Sequence, residues 1–107
     1  MPIDNVPLPG VPCLMSYQVI LGRAVRRRLR RVPRHVIDKL EAWVELVETD
    51  GLEEAKKIPG FHDEALKGDR AGQRSIRLSR QWRAIYETQP NGDVTLILVQ
   101  EVTPHDY

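Results

Sequence analysis

The sequence predicts an α+β fold: an N-terminal strand, an antiparallel helical hairpin and then a three-stranded antiparallel meander, with all strands in one sheet packed on the helices. Apolar residues recur with a helical period over residues 23–49 and alternate with polar residues over residues 73–79. A Pro-Asn-Gly-Asp turn at residues 90–93 separates two strand-like segments. The 107 residues, 41% hydrophobic and 29% charged, suit one globular domain.

The first fifteen residues differ in composition from the rest of the chain. Four prolines and Gly10 disfavour both helix and strand, so we expect a flexible Pro-rich tail at residues 1–15 and a folded domain at residues 16–107. A single cysteine, Cys13, excludes an internal disulfide. There is neither an apolar run of about 18 residues nor a secretory signal. We therefore expect a cytoplasmic protein with no membrane partner.

The first half of the domain contains one predicted strand and two predicted helices. The segment SYQVIL at residues 16–21 is rich in β-branched and aromatic residues, which favours a strand. Residues 23–31 predict a short arginine-rich helix, and Pro33 is well placed as the first residue of the next one. Residues 34–49 predict the clearest helix, because apolar side chains share one face and acids cover the other. That apolar face comprises Val36, Ile37, Leu40, Trp43, Val44 and Val47.

The second half of the domain predicts the meander. Residues 61–72 are polar and contain two glycines, which indicates a loop. Residues 73–79 predict a strand in which Ile76 and Leu78 face the core and Arg77 faces the other side. Residues 82–88 and 94–102 predict the remaining strands. The last of these is apolar on both faces over much of its length, as is typical of a central strand.

The net charge is only +1, but the charges are strongly segregated along the chain. Residues 21–35 carry seven arginines and no acid, whereas residues 36–64 carry nine acids and three lysines. Residues 65–83 carry six bases and one acid. Twelve of the sixteen bases are arginine, which suits bidentate contacts with phosphate or carboxylate. The pattern fits either a polyanion or an acidic protein as partner.

Four segments carry a resemblance to a known family: SYQVIL with the arginine-rich helix after it, IPGFHDEALKG, QRSIRLSRQWRAIYE and VQEVTPHDY. In this order and spacing they resemble the RelE/ParE superfamily of bacterial toxins, and its RelE/HigB branch most closely. The resemblance covers residues 16–107. It implies the toxin of a type II toxin–antitoxin system, neutralised by a cognate antitoxin through which the complex can reach operator DNA.

The resemblance also implies an activity. RelE/HigB-like toxins are metal-independent endoribonucleases, or mRNA interferases, that use no cofactor and inhibit translation by cutting mRNA in the ribosomal A site. The ribosome and mRNA are therefore expected partners. Two alternatives stay open: a ParE-like inhibitor of DNA gyrase without nuclease chemistry, and an inactive toxin-like module that only binds proteins.

Metal-free RNA cleavage needs a group that takes the 2′-hydroxyl proton, one that protonates the leaving 5′-oxygen, and a cation that stabilises the phosphorane. Arg77 is the first candidate, because the resembling nucleases place a catalytic base or arginine in this strand. Arg83 is the second, although an arginine there often anchors a carboxylate or stacks on an aromatic ring. His105 and Tyr107 match the histidine–tyrosine pair with which resembling toxins often end, but Asp106 separates them here.

The arginine-rich helix predicts an electrostatic footprint on ribosomal RNA or a contact with the antitoxin. The alternatives are a solvated helix face or ion pairs with the acidic helix that follows. The predicted contacts with RNA or the ribosome are Arg23, Arg26, Arg27, Arg28, Arg30, Arg31, Arg74 and Arg80.

Two further candidate sites are a metal site and a general base. The run His62, Asp63 and Glu64 predicts no metal site, because adjacent residues rarely turn all their ligand atoms towards one ion. Glu101 is either a general base or an ion-pair partner of Arg83, and we favour the ion pair.

Overall fold

The computed structural model describes residues 16–104; the predicted tail at residues 1–15 and the chain end at residues 105–107 lie outside the described residues. The described chain forms one five-stranded sheet with three helices. The strands are β1 Ser16–Leu21, β2 Glu64–Ala65, β3 Arg74–Arg77, β4 Trp82–Asn91 and β5 Val94–Pro104. The helices are α1 Arg23–Arg28, α2 Arg34–Asp50 and α3 Leu52–Lys56, and 3₁₀ turns lie at Leu29–Arg31, Pro59–Phe61 and Gly68–Arg70.

The sheet confirms the predicted fold class and adds to it. Its strand order is β1-β5-β4-β3-β2, with β1 parallel to β5 and every other pair antiparallel. The strands β3, β4 and β5 form the predicted meander, and β1 joins it beside the last strand. The prediction of a loop over residues 61–72 is wrong in one respect, because Glu64–Ala65 pairs with β3 as an edge strand. Two residues are too few to give an alternating pattern.

Helix α2 supplies the helical side of the core with the face that the sequence predicts. Of the six apolar residues of that face, four are buried and two are partly buried. The Trp43 ring packs against the Tyr86 ring of β4, with the centroids 5.1 Å apart. Each large apolar side chain buried here contributes about 1.5–3 kcal/mol. The buried four are Val36, Leu40, Trp43 and Val47, and the partly buried two are Ile37 and Val44.

Strand β1 forms one edge of the sheet, and helix α2 covers it. The backbone N–H of Val19 donates to Oε2 of Glu48 at 2.9 Å, which satisfies a donor that an edge strand would otherwise expose. Helix α2 ends at Gly51, whose φ of 96° favours glycine. A Cβ at Gly51 would stand 3.2 Å from the Tyr17 ring, so the close approach also favours glycine. None of the helices within residues 16–104 is long and apolar enough to cross a bilayer.

Two hairpins connect the strands of the meander, and the second turns where the sequence predicts, at residues 90–93. In the β3–β4 turn, Oγ of Ser79 accepts the backbone N–H groups of Gln81 and Trp82, each at 3.2 Å. The β4–β5 hairpin turns at Gly92, which has a φ of 65°. The register shifts by one residue between β4 and β5, so that Gln100 lies opposite no residue of β4. These turns bring the ends of β3, β4 and β5 to one end of the sheet.

Candidate active site and basic surface

Arg77 and Arg83 lie opposite each other in the register of β3 and β4, on the face of the sheet away from the helices. The two residues that flank Arg77 in sequence, Ile76 of β3 and Leu78 just after it, are only 1% and 4% exposed. Arg77 itself is exposed and Arg83 is half-buried. The predicted orientation of Arg77 is therefore confirmed.

This arginine pair lacks a counter-ion within residues 16–104, since no carboxylate there pairs with either side chain. Like charges directly opposite each other on a sheet repel. In addition, Nε of Arg83 is buried and has no hydrogen-bond partner among the same residues. The predicted alternative that Arg83 anchors a carboxylate finds no support in the described residues. An anion between the two guanidinium groups would relieve the repulsion and offer Nε an acceptor.

The arginine pair lines a small cleft of about 50 Å³, together with His62 just before β2 and Glu64 of β2. His62 adopts a left-handed conformation with φ of 47° and is exposed. Its Nε2 lies 3.5 Å from Oε2 of Glu64, also exposed. A histidine and a carboxylate therefore stand beside two arginines. The full lining is His62, Glu64, Ser75, Ile76, Arg77, Ser79, Arg80, Trp82 and Arg83.

Sequence reasoning missed His62 and Glu64 as acid–base candidates. The sequence draws attention to them only as part of the run at residues 62–64, for which no metal site is predicted. The sequence contains one weak indication of them. Two titratable side chains, one residue apart, precede the strand that carries the first catalytic candidate, Arg77. Recognising them required knowing that Glu64 pairs with Ser75, two residues before Arg77 on the same strand.

Asp63, between these two residues, is engaged on the opposite side. Its side chain is 1% exposed, and Oδ1 lies 2.6 Å from Nε of Arg74. The Tyr86 hydroxyl donates to Oδ2 at 2.6 Å. Burial and the bond to Asp63 raise the pKa of Tyr86 far above its ordinary value. Burial lowers the pKa of Arg74, but its bond to the charged Asp63 outweighs that effect and raises it.

Arg74 is one of the residues predicted to contact RNA or the ribosome, but its charge already has a partner within the fold. Arg74 is half-buried and its charge is paired inside the fold, because Asp63 reaches it from eleven residues away in sequence. Arg80 does line the cleft. Glu101 also differs from expectation: it pairs with Arg70, from the 3₁₀ turn after β2, rather than with Arg83.

The six arginines of the predicted electrostatic footprint are all exposed. Within the described chain, none of these arginines forms an ion pair with an acid of α2. The acid Asp38 of that helix pairs instead with Arg34 of the same helix, at 3.2 Å. The alternative of pairing with the acidic helix is thus not observed there. Arg28 lies over the Trp82 ring, 5.9 Å from its centroid, which joins this surface to the cleft. The six exposed residues are Arg23, Arg26, Arg27, Arg28, Arg30 and Arg31.

The end of β5 lies beside two residues that line the cleft. Pro104, the last described residue, pairs with Trp82, and Thr103 pairs with Arg83. His105 and Tyr107, the two predicted catalytic residues of the chain end, lie outside the described residues.

The sequence matches no protein-family model and no curated protein. Its fold matches solved toxins. The YoeB/ParE toxin from Agrobacterium tumefaciens superposes with a TM-score of 0.57 at 21% identity, covering 83% of this chain and 99% of that one. YafQ from E. coli gives 0.60 at 15% identity, covering 83% and 91%. The YoeB–YefM complex from Staphylococcus aureus gives 0.58 at 14% identity, covering 85% and 99%.

These structures are RelE/ParE-superfamily toxins, and each is covered by this chain over nearly its whole length. The resemblance that the sequence motifs indicate is thereby confirmed at the level of the fold. The chain has the fold of the RelE/ParE toxins.

Proposed function

We propose that this chain is the toxin of a type II toxin–antitoxin system and that it cleaves mRNA on translating ribosomes without a metal or cofactor. One observation carries the proposal. Two arginines that lack a carboxylate partner within the described chain share a cleft with a histidine and a glutamate. A site that only binds a protein needs no titratable groups beside a phosphate-sized anion site.

The proposed reaction is transfer of a phosphodiester from one oxygen to another. The 2′-oxygen of a nucleotide bonds to the adjacent phosphorus while the bond from phosphorus to the 5′-oxygen breaks. A base takes the proton of the 2′-hydroxyl, and an acid gives one to the leaving 5′-oxygen. The products are a 2′,3′-cyclic phosphate and a 5′-hydroxyl end.

The cleft supplies groups for these roles. Arg77 and Arg83 would hold the non-bridging oxygens and stabilise the charge that builds on the phosphorane. Glu64 or His62 would accept the 2′-hydroxyl proton, since both are exposed beside the arginines. We assign the acid to His105, which follows the last described residue of β5 at this end of the sheet.

The footprint of α1 would bind ribosomal RNA. Its exposed arginines offer charge to phosphates, and the contact of Arg28 with Trp82 makes this surface continuous with the cleft. The cleft is small and open, so it does not by itself enclose a nucleotide. We infer that the ribosome supplies much of the positioning. Tyr107 would stack on a base. We propose a cytoplasmic location, because the ribosomes that this activity requires are found there.

We further propose a cognate antitoxin as partner. The YoeB–YefM structure and the DinJ–YafQ structure from E. coli are complexes of this kind, the second being described as toxin–antitoxin. Through the antitoxin, the complex would reach operator DNA.

The first experiment separates this proposal from gyrase inhibition. On expression without a partner, we expect methionine incorporation to stop before thymidine incorporation. If thymidine incorporation falls first and the SOS response follows, the gyrase alternative is correct. If neither falls while folded protein accumulates, the chain is an inactive module.

The second experiment tests dependence on the ribosome. Purified protein is incubated with naked mRNA and with programmed ribosomes, and 5′-hydroxyl ends are mapped. We expect cleavage only on ribosomes, and much slower cleavage by the Arg77→Ala control. Equal cleavage of both substrates would exclude the ribosome-dependent mechanism.

A further inference from the structure

The carboxylate of Asp63 lies on the far side of the chain from the cleft, between the two residues that would serve as acid–base groups. We propose that Asp63 is a positioning residue: it holds His62 and Glu64 beside the arginine pair without touching the substrate. The inference rests on the proposed nuclease function, because it concerns the geometry of that site.

The anchoring geometry is well defined. Both carboxylate oxygens of Asp63 are engaged at 2.6 Å, one by Arg74 of β3 and the other by Tyr86 of β4. Arg74 and Tyr86 are themselves opposite each other in the register of these strands. The side chain is 1% exposed, so water does not compete for it. Two bonds from a rigid pair of strands leave residue 63 essentially one orientation.

Anchoring Asp63 fixes its neighbours. In extended chain, alternate side chains point to opposite faces. Arg74 and Tyr86 lie on the helix-facing side of the sheet with Ile76, so Asp63 points to that side. Glu64, opposite Ser75, then shares the other side with Arg77.

The segment before Asp63 explains why an anchor is needed. It is a 3₁₀ turn followed by His62 in a left-handed conformation, which a non-glycine residue adopts only when its surroundings hold it there. The strand after it is only two residues long and pairs on one side. Neither element is rigid alone. A buried ion pair is no strong source of net stability, but it does fix direction.

The test uses two variants and a matched control in the full-length chain. Asp63→Asn removes the charge, and Tyr86→Phe removes one anchor while keeping the Arg74 ion pair. Glu101→Gln breaks the ion pair with Arg70, also partly buried but not among the residues lining the cleft. We expect Asp63→Asn and Tyr86→Phe to slow single-turnover cleavage on ribosomes by roughly 10- to 100-fold. Glu101→Gln should leave the rate within about 2-fold.

A double-mutant cycle distinguishes positioning from general damage. If Asp63 acts through Glu64, then adding Asp63→Asn to the Glu64→Gln variant should lower the cleavage rate by no more than about 2-fold. A full additional loss in the Glu64→Gln background would overturn the proposal.

A second readout does not require nuclease activity. The ring signals of His62, assigned by loss in His62→Ala, are followed by NMR with those of His35 as internal reference. We expect the His62 signals to shift and broaden in both variants and to stay unchanged in Glu101→Gln. If wild-type protein cleaves nothing, the nuclease proposal fails and this measurement still decides the positioning role. If the His62 signals are unchanged in folded Asp63→Asn, the positioning role is refuted. If Asp63→Asn does not fold, unchanged signals in Tyr86→Phe refute it in the same way.

Discussion

Two groups of arginines in this protein are built differently. Those of α1 stand on a helix of six residues and its following turn, all exposed and without acid partners on α2 in the described chain. Arg77 and Arg83 stand on adjacent strands, fixed opposite each other, with Arg83 half-buried. One group offers charge over a broad surface, and the other offers charge at a fixed point.

The two arrangements suit different functions, binding in one case and transition-state stabilisation in the other. Long side chains on a solvated helix adapt to a phosphate backbone and lose little if one is removed, because the attraction is long-range and summed. Transition-state stabilisation instead requires donors held in place before the reaction. We therefore expect the α1 group to govern binding of the ribosome and the cleft pair to govern the rate of cleavage.

The largest expected effect tests the cleft pair. Arg77→Ala should abolish toxicity and lower the single-turnover rate by roughly 10²–10³, as for other preorganised charge stabilisers. Because Arg77 is exposed, its loss leaves no cavity and should change stability by no more than about 0.5 kcal/mol. Circular dichroism, pull-down with the antitoxin and cleavage on ribosomes are measured together.

Arg77→Lys is the matched control for that variant. It keeps the charge but not the bidentate fork, so its rate should fall between those of the wild type and Arg77→Ala. Cleavage at the wild-type rate by folded Arg77→Ala would remove this residue from the site. Unfolding of the variant would instead show that Arg77 is structural, and Arg83 would become the principal candidate.

The next prediction concerns the buried carboxylate of Asp63 and its two partners, Tyr86 and Arg74. Arg74 belongs to neither group of arginines, because Asp63 neutralises its charge. Tyr86→Phe deletes one of the two bonds to that buried carboxylate and should lower the free energy of unfolding by about 2 kcal/mol. The pKa of Tyr86 is raised in the folded state. Its contribution is therefore complete below the ordinary tyrosine pKa of about 10 and is lost as pH rises through the folded pKa.

Denaturant titrations of wild type and Tyr86→Phe at several pH values measure this effect. The difference in stability should be constant from about pH 6 to 9 and shrink only at more alkaline pH. A difference that already disappears near neutral pH would contradict the assigned network. Equal stability at every pH would show that the tyrosine–aspartate bond contributes nothing.

The sequence predicts the orientation of Arg77 correctly because period-two alternation depends only on neighbours along the chain. Ile76 and Leu78 are apolar, so Arg77 must face the other side. The helical face of α2 follows from the same kind of local rule. Both predictions use information contained within a few residues of the position concerned.

The partners of charged residues could not be predicted in this way. Glu101 pairs with Arg70, 31 residues away, and Arg74 pairs with Asp63 across the β2–β3 connection. Each pairing depends on how a loop returns to the sheet, for which the sequence contains no periodic signal. The same reason hid Glu64, which lies near Arg77 only because a two-residue strand pairs with β3.

The smallest expected effect tests the α1 group. Arg27 and Arg31 lie one turn apart on α1 and its following 3₁₀ turn, exposed and without an ion pair in the described chain. Replacing both with glutamine should weaken ribosome binding by roughly tenfold near physiological salt. It should also reduce the slope of log affinity against log salt by about 1.4 to 1.8. Cleavage by the saturated complex should be unchanged. The control is Arg34→Gln with Lys57→Gln, which removes the same charge from residues already paired with acids. If both double variants alter the slope equally, ribosome binding depends on the net charge of the protein and not on the position of the α1 arginines. If the Arg27 and Arg31 variant slows the saturated rate, the two groups do not divide binding and turnover as their structures indicate.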